Sequence, residues 1–208
     1  MSFEKNKYGV VRNFLTPDVC DVLYEYVKFC AKRCSWVANN MSTEYRKGRY
    51  GSLGDGQVEN NYSNYGDVMF ESILASSTSK IEKLINKKIL PTYTYHRLYE
   101  TGSDLKVHKD RPSCQLSTTI CLGYENYSVN ENYCWPIYMG GKAVHLKKGD
   151  MVIYSGCEIE HWRESFEGKT QAQLFMHYVY ADGQYKNFIY DERPMLGLPQ
   201  EFKKLIRW

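Results

Sequence analysis

Three side chains in this sequence could together hold a metal ion: His108, Asp110 and His161. In an extended strand, residues i and i+2 point to the same side, so His108 and Asp110 can reach one ion. His161 follows in a later strand-like run, which could lie beside the first in a barrel. Two imidazoles and one carboxylate leave the opposite face of a metal open, an arrangement that suits non-haem Fe(II). We therefore predict a metal site with open coordination positions.

The elements that must position these residues begin with two helices. Thr16 is a predicted N-cap, and the helix that it starts should run to about Cys34. A second helix is predicted over residues 67–86. Between the helices, residues 38–66 are rich in Gly, Asn, Ser and Tyr and have no hydrophobic period, which predicts a loop. We expect residues 40–66 of this loop to form a flap over the metal, because a loop this long in a compact domain is usually a lid or a binding loop.

Short strands rich in β-branched and aromatic residues follow the helices. Turns containing glycine separate them, including a hairpin turn at Gly140 and Gly141. The predicted strands lie at about 92–99, 114–122, 135–138, 143–146, 151–154 and 173–179. Two helices followed by many strands predict an all-β core with helices packed against it, an α+β arrangement overall.

The length of the chain, residues 1–208, fits one domain. Residues 14–90 form the predicted helical lead-in and residues 91–180 the β core. Residues 181–208 form a less periodic C-terminal tail, whose aromatic and basic end we expect to pack on the core.

The composition argues against several classes of protein. No apolar run is long enough to cross a membrane. The net charge is only +3, which argues against a nucleic-acid partner, although Arg46 and Arg49 form a small basic cluster. The seven cysteines are odd in number and lack C-x-x-C spacing, which predicts reduced thiols in a cytoplasm.

The sequence around the predicted metal residues resembles the prolyl 4-hydroxylase type of Fe(II)/2-oxoglutarate dioxygenase. The similar features are Phe14-Leu-Thr-Pro, Tyr99-x-x-Gly102, His108-x-Asp110, and the run 148–154 before His161. A closer resemblance is to small oxygenases of bacteria and tailed phages. It is carried by Arg97-x-Tyr99, His108-x-Asp110-Arg-Pro-Ser-Cys, His161-Trp-Arg163-Glu and Phe175-x-His177-Tyr178. Together these features cover about residues 14–180.

This resemblance implies a double-stranded β-helix, a jelly-roll or cupin-like barrel of about eight core strands, with both helices packed on one sheet. It implies that His108, Asp110 and His161 hold Fe(II) and that 2-oxoglutarate and O₂ are co-substrates. The implied reaction hydroxylates an unactivated C–H of a protein side chain such as proline, or of a small molecule. Succinate and CO₂ are released. Asp110 favours hydroxylation, because related halogenases lack this carboxylate.

The distal carboxylate of 2-oxoglutarate needs a cation inside the barrel, because an unpaired buried charge is costly. The position that usually carries this cation in the family is occupied by Gln171. Arg163 is the first candidate, because it shares strand parity with His161 and its guanidinium fits a carboxylate. The alternative for Arg163 is a surface ion pair with Glu160 or Glu164.

Other residues have lower-ranked roles in the same site. Lys169 is the second candidate for the cation, Arg97 is the third, and Tyr99 is a candidate hydroxyl donor to 2-oxoglutarate. His177 could support the metal ligands or be an ordinary core histidine, and His145 is predicted to be exposed.

One alternative function comes from a different class. The chain could be a structural or binding module of a phage particle, built on an oxygenase-like barrel whose chemistry is incidental, because fold alone does not settle function. In that case the protein would be found in the host cytoplasm or the virion. Association of the chain with further copies of itself is left open, and the sequence does not predict the substrate.

Overall fold

A computed structural model describes residues 3–46, 50–59, 61–127 and 132–204. Within these ranges the α-helices are α1 (Phe3–Asn6), α2 (Pro17–Asn40), α3 (Thr43–Arg46) and α4 (Val68–Ile85). The strands are β1 (Tyr8–Val11), β2 (Ser52–Leu53), β3 (Asn61–Tyr65), β4 (Ile89–Glu100), β5 (Leu105–His108), β6 (Leu116–Glu125), β7 (Ile137–Met139), β8 (Lys142–Val144), β9 (Met151–Tyr154), β10 (His161–Arg163) and β11 (Thr170–Tyr180). None of the described helices combines the length and the apolar character that a membrane span requires.

The strands form two antiparallel sheets. The larger sheet has the order β1-β9-β6-β11-β4-β3-β2, and the smaller has the order β5-β10-β7-β8. Strands β4 to β11 contribute four neighbours to each sheet. Along the chain they alternate between the sheets, apart from the hairpin β7-β8 within the smaller sheet, in the manner of a double-stranded β-helix. The predicted fold, an all-β core of eight strands with flanking helices, is confirmed.

Strand β11 shows that the larger sheet is buried on both faces. It lies between β4 and β6 and is buried along nearly its whole length. Because side chains alternate between the faces of a strand, Leu174 and Met176 join the cluster that contains Phe70 of α4, while Phe175 joins the cluster inside the barrel. The helices cover the outer face of this sheet, and the smaller sheet faces its inner side.

Helices α2 and α4 pack against the larger sheet, as predicted. Thr16 is the N-cap of α2, but its side chain makes no capping hydrogen bond, and the helix continues past Cys34 to Asn40. The predicted end was too early because Val37 extends the buried face by one more turn. In α4 the Asp67 side chain accepts a hydrogen bond from a backbone N–H of the first turn.

The predicted loop over residues 38–66 is partly wrong. Residues Asn61–Tyr65 form β3, which pairs with β4 in the larger sheet. This strand has no alternation of apolar and polar residues. Its extended conformation is stabilised by pairing with β4, and the local sequence pattern does not predict that pairing. Strand β1 was also missed, and it pairs with β9 at the other edge. Of the predicted basic cluster, Arg46 ends α3, while its side chain and residues 47–49 lie outside the described part of the chain.

The C-terminal tail packs back onto the barrel. Residues Lys186–Glu192 form a kinked 3₁₀ segment that contacts β4, and Gln200–Lys204 form a second short 3₁₀ helix. Asp191 is fully buried. Residues 186–192 of the tail thus lie against the barrel. The aromatic and basic end, for which packing was expected, lies mostly in residues 205–208, outside the described residues.

Candidate metal centre

Two adjacent strands of the smaller sheet bring the predicted metal residues together. His108 is the last residue of β5, His161 is the first of β10, and the two are paired across the strands. Asp110 lies just beyond β5, where its backbone N–H donates to the carbonyl of Gly156 at 2.9 Å. The potential ligand atoms of the three side chains all lie within 4.8 Å of one another.

The orientation of the two imidazoles suits metal binding. The Nε2 atoms of His108 and His161 face Oδ1 of Asp110 at 3.8 and 3.5 Å. The Nδ1 atoms lie 2.8 Å from the carbonyl of Lys106 and 3.1 Å from that of Ile159. When each Nδ1–H donates to its carbonyl, the lone pair of each Nε2 points to the shared position.

The electrostatics of the centre keep the ligands in the forms that a metal requires. Burial tends to raise the pKa of Asp110, but the proximity of His161 and His177 and the hydrogen bond from Ser117 outweigh it and lower that pKa to about 2. Burial and the proximity of His161 lower the pKa of His108. An ionised carboxylate and a neutral imidazole are the states that bind a cation.

A chain of hydrogen bonds holds the second oxygen of the carboxylate. Ser117 donates to Oδ2 of Asp110 at 2.7 Å, and Nδ1 of His177 lies 2.9 Å from the Ser117 hydroxyl. Because the hydroxyl proton is directed at the carboxylate, Nδ1–H of His177 is the donor in the second bond. His177 is buried, stacks on Tyr93 at 4.5 Å between ring centroids, and has a pKa lowered to about 4 by burial. His177 therefore supports Asp110 through Ser117, which is one of the two roles that the sequence left open for it. Ser117 itself was not singled out in the sequence.

Gly156 lets the backbone approach this carboxylate closely. A Cβ at position 156 would lie 2.5 Å from Oδ2 of Asp110 and closer still to the carbonyl oxygen of Cys114. Any side chain here would displace Asp110 or the turn that carries it.

A cavity of about 430 Å³ opens beside the three residues. Its lining includes tyrosines of β4, the metal residues, and three residues of the predicted flap. These are Asp55, Gly56, Gln57, Tyr93, Tyr95, Arg97, Leu105, His108, Lys109, Asp110, Arg111, Cys114, Ile137, Tyr154, His161, Phe175 and His177. The metal position therefore has access to a space large enough for small organic groups.

Arg163 is a buried cation that faces no carboxylate among the described residues. Its Nη1 donates to the carbonyl of Trp135 at 3.1 Å, and its guanidinium lies over the Trp135 ring at 4.6 Å. Its Nε and Nη2 are buried and have no hydrogen-bond partner in the described part of the chain, and burial lowers its pKa. It pairs across the strands with Leu105, which lines the cavity. The surface ion pair with a neighbouring glutamate, considered above, is incompatible with this burial.

The other candidate cations are placed differently. Arg97 lines the cavity, but it already donates to Asp55 at 2.8 Å and to Gln57 at 2.7 Å. Lys169 is exposed, and its Nζ lies 5.6 Å from the centroid of the Tyr127 ring, outside the cavity. The Tyr99 hydroxyl is buried and accepts from Nη1 of Arg97 at 3.4 Å. Of these cations, only Arg163 has free donors inside the barrel.

Asp55 fastens the flap to the barrel. One of its oxygens accepts from Arg97 and from the Tyr95 hydroxyl at 2.8 Å, and the other accepts from the backbone N–H groups of Gln57 and Val58. The short range 55–57 therefore lies at the cavity, as predicted for the flap.

The loop that carries Asp110 is anchored to the C-terminal tail. Arg111 makes two hydrogen bonds of 2.7 Å to the buried carboxylate of Asp191, which also accepts from Tyr65 at 2.6 Å. Burial tends to raise the pKa of Asp191, but the bond from Arg111 outweighs it and lowers that pKa to about 2. His145, by contrast, is exposed, as predicted.

Comparison with known proteins identifies the fold but not the family. No family model matches the chain, and no curated protein is similar to it in sequence. A prolyl-4-hydroxylase from Pseudomonas putida superposes with a TM-score of 0.56 at 14% identity, over 85% of this chain and 94% of that chain. The viral collagen prolyl hydroxylase of Paramecium bursaria Chlorella virus-1, in complex with 2-oxoglutarate, gives a TM-score of 0.57 at 11% identity, over 86% and 98%.

A third similar structure has a small-molecule ligand. HygX from Streptomyces hygroscopicus, with nickel, 2-oxoglutarate and hygromycin B bound, gives a TM-score of 0.58 at 10% identity, over 85% of this chain and 84% of that chain. The chain thus has the fold of these oxygenases along most of its length.

Proposed function

We propose that this protein is an Fe(II)- and 2-oxoglutarate-dependent dioxygenase that hydroxylates an unactivated C–H and releases succinate and CO₂. The observation that carries the proposal is the pairing of two features in one barrel. His108, Asp110 and His161 converge beside the cavity, and Arg163 presents buried donors that no described group of the protein satisfies. A metal site alone fits many functions, but a metal site with a free buried guanidinium fits a metal-bound dicarboxylate.

The donor set fits a first-row metal with open positions. Two Nε2 atoms and one carboxylate oxygen would hold the ion, and the cavity lies on the side left open. When bound together, iron, 2-oxoglutarate and O₂ supply the oxidation of an otherwise unreactive C–H bond, which no amino-acid side chain can perform. The chain itself orients the ligands through the Lys106 and Ile159 carbonyls and through Ser117.

The distal carboxylate of 2-oxoglutarate is assigned to Arg163. A buried guanidinium with two unsatisfied nitrogens destabilises the protein by several kcal/mol unless an anion joins it. The Nε2 of Gln173 is also buried and unpartnered, so it is a second donor inside the barrel. Tyr99 is retained as a hydroxyl donor, whereas Arg97 and Lys169 are not retained. Two of the similar structures contain 2-oxoglutarate, which supports this assignment.

The walls of the cavity would exclude water and position the substrate. Tyr93, Tyr95 and Phe175 supply apolar and aromatic surface, and the flap residues 55–57 cover one side. Similar structures include a prolyl hydroxylase with a hypoxia inducible factor peptide fragment and HygX with hygromycin B. We accordingly propose a protein side chain such as proline, or a small molecule, as substrate.

The setting of the reaction is part of the proposal. None of the seven cysteines, all of which lie in the described part of the chain, forms a disulfide, which supports a reducing cytoplasm. The residue patterns around Arg97, His108 and His161 support kinship with small oxygenases of bacteria and tailed phages, so a phage-infected host cytoplasm is included. The alternative, a structural or binding module of a phage particle, needs neither 2-oxoglutarate nor turnover.

Turnover of the co-substrate tests the proposal. The purified protein, supplied with Fe(II), 2-oxoglutarate and O₂, should form succinate, and a screen of proline-containing peptides and small molecules should reveal compounds that accelerate it. Mass spectrometry should find a product heavier by one oxygen atom. His161→Ala should lose both Fe(II) binding and succinate formation, whereas the exposed His145→Ala should retain them. Fe(II) binding without succinate formation under any condition would favour the binding module.

A further inference from the structure

Helix α2 exposes a line of large apolar side chains. Val22, Phe29 and Trp36 are 68, 67 and 61% exposed, and they recur every seven residues. Such a spacing keeps side chains along one edge of a helix. The opposite face, which includes Leu23 and Val27, is buried in the core cluster against the larger sheet. The exposed line has no partner among the described residues, apart from Lys32, whose Nζ lies 5.7 Å from the Phe29 ring centroid.

The charges beside this line change sign along the helix. Asp18, Asp21 and Glu25 lie towards its N-terminus, whereas Lys28, next to Phe29, and Lys32 and Arg33 carry the positive charge from the middle of the helix onwards. Two copies of the helix in parallel would put acidic residues beside acidic residues. Two copies in antiparallel orientation put the acidic half of each beside the basic half of the other.

We propose that the protein forms a dimer in which α2 packs antiparallel against α2 of a second copy, with the two-fold axis at Phe29. In a two-fold interface the same surface is used by both copies, and residues equally distant from the axis face each other. Phe29 then meets its own copy, Val22 meets Trp36, and Glu25 meets Arg33. The apolar line is covered along its whole length, and each charged pair is formed twice.

The two charged residues are available for these pairs. Glu25 is exposed and shares Lys28 with Glu125, at 3.0 and 2.9 Å. Arg33 is exposed and lies over the Tyr50 ring at 5.2 Å. Its described contacts include no carboxylate. The charges of a second copy in antiparallel orientation are therefore complementary to the charges beside the exposed line of the first copy.

The proposed dimer leaves both cavities open. Helix α2 lies on the outer face of the larger sheet, against β6 and β4, and contributes no residue to the cavity beside the metal residues. Substrate would therefore reach each copy independently, and dimerisation is separate from the proposed oxygenase activity.

Sedimentation equilibrium of the full chain tests the proposal. The wild-type protein should be dimeric, and Phe29→Glu, which places two like charges at the axis, should raise the dimer dissociation constant about 100-fold or more. Val68→Glu is the matched control, because Val68 is 65% exposed but lies on α4. Its dissociation constant should equal that of the wild type, and circular dichroism should show that both variants are folded.

A charge exchange tests the antiparallel register. Glu25→Arg and Arg33→Glu should each weaken the dimer about tenfold, because each change creates two like-charge pairs. The double variant Glu25→Arg with Arg33→Glu should restore wild-type affinity. A monomeric wild-type protein, a dimer unaffected by Phe29→Glu, or a double variant weaker than either single variant would overturn the proposal.

Discussion

Ser117 donates a hydrogen bond of 2.7 Å to Oδ2 of Asp110, while Oδ1 of the same carboxylate faces both imidazoles. The two oxygens therefore have separate partners, and the rotation of the carboxylate is fixed before any metal arrives. His177 in turn holds the Ser117 hydroxyl. Supports of this kind tune ligand orientation as well as ligand basicity.

Removing this support should weaken metal binding without unfolding the protein. Ser117→Ala should lower the affinity for Fe(II) or a substitute such as Co(II) by about 10–100-fold. Thr118→Ser is the control, because Thr118 is on the same strand and bonds only the Met176 carbonyl. Titration calorimetry under anaerobic conditions measures both. Equal affinities in the two variants would contradict a positioning role for Ser117.

Arg163 should affect the co-substrate and the apo protein in opposite directions. Arg163→Met removes the proposed partner of 2-oxoglutarate, so the binding of 2-oxoglutarate should weaken by about 2–5 kcal/mol. It also removes an unsatisfied buried guanidinium, so the apo protein should gain stability towards urea. Lys169→Met, which changes an exposed lysine, should alter neither. If Arg163→Met binds 2-oxoglutarate like the wild type, the assignment fails.

Asp55 should control the order of the flap. Asp55→Asn weakens the charge-assisted bonds from Arg97 and leaves the length of the side chain unchanged. Hydrogen exchange of residues 55–58 should become about tenfold faster or more, since the loss of such bonds favours local opening. Asp104→Asn, on a more exposed carboxylate paired with Lys106, is the control. Unchanged exchange in Asp55→Asn would show that the flap is held by other contacts.

His96 should make the protein sensitive to acid. Its ring is buried without a hydrogen-bond partner, packed between Tyr62 and Phe70, and burial lowers its pKa from 6.5 to about 4. Above pH 6.5 the imidazole is neutral in both folded and unfolded states, so it has no effect on stability. As the pH falls from 6.5 to 4, the unfolded state gains the proton first and the fold loses up to about 3 kcal/mol.

Urea unfolding at several pH values measures this effect. His96→Phe should flatten the decline in stability between pH 6.5 and 4, while His145→Phe, at an exposed histidine, should leave the decline as in the wild type. Other groups titrate in the same window, including His177, so the informative quantity is the difference between each variant and the wild type. A wild-type decline in His96→Phe would remove His96 as its cause.

The proximity of the three proposed metal ligands was predictable because their spacing reflects local geometry. His108 and Asp110 are close in sequence, and His161 begins a strand that pairs directly with β5. The i, i+2 argument held only in part, since Asp110 lies beyond the end of the strand and is positioned by the bond to the Gly156 carbonyl. The types of these residues indicated metal binding, and the loop after β5 places Asp110 beside the two histidines.

The supporting residues could not be predicted, because they depend on pairing between distant segments. Ser117 lies in a run of small polar residues, and only the register that sets it opposite His177 distinguishes it from its neighbours. The same holds for Asp55, whose partner Arg97 lies two strands away in the sheet. Arg163 was ranked first by strand parity, but its lack of a partner is visible only once the barrel is closed.

The bond between Arg111 and Asp191 has a consequence for how the protein is made. Asp191 is synthesised 80 residues after Arg111, and Lys203, its other cationic partner, follows later still. On the ribosome, the turn carrying Asp110 therefore emerges long before the group that anchors it. The barrel strands can pair first, but Arg111 in this turn lacks its carboxylate partner until the tail folds back over β4. A chain released before residue 191 would contain every proposed metal ligand and still lack the bond between Arg111 and Asp191 that anchors the turn of Asp110.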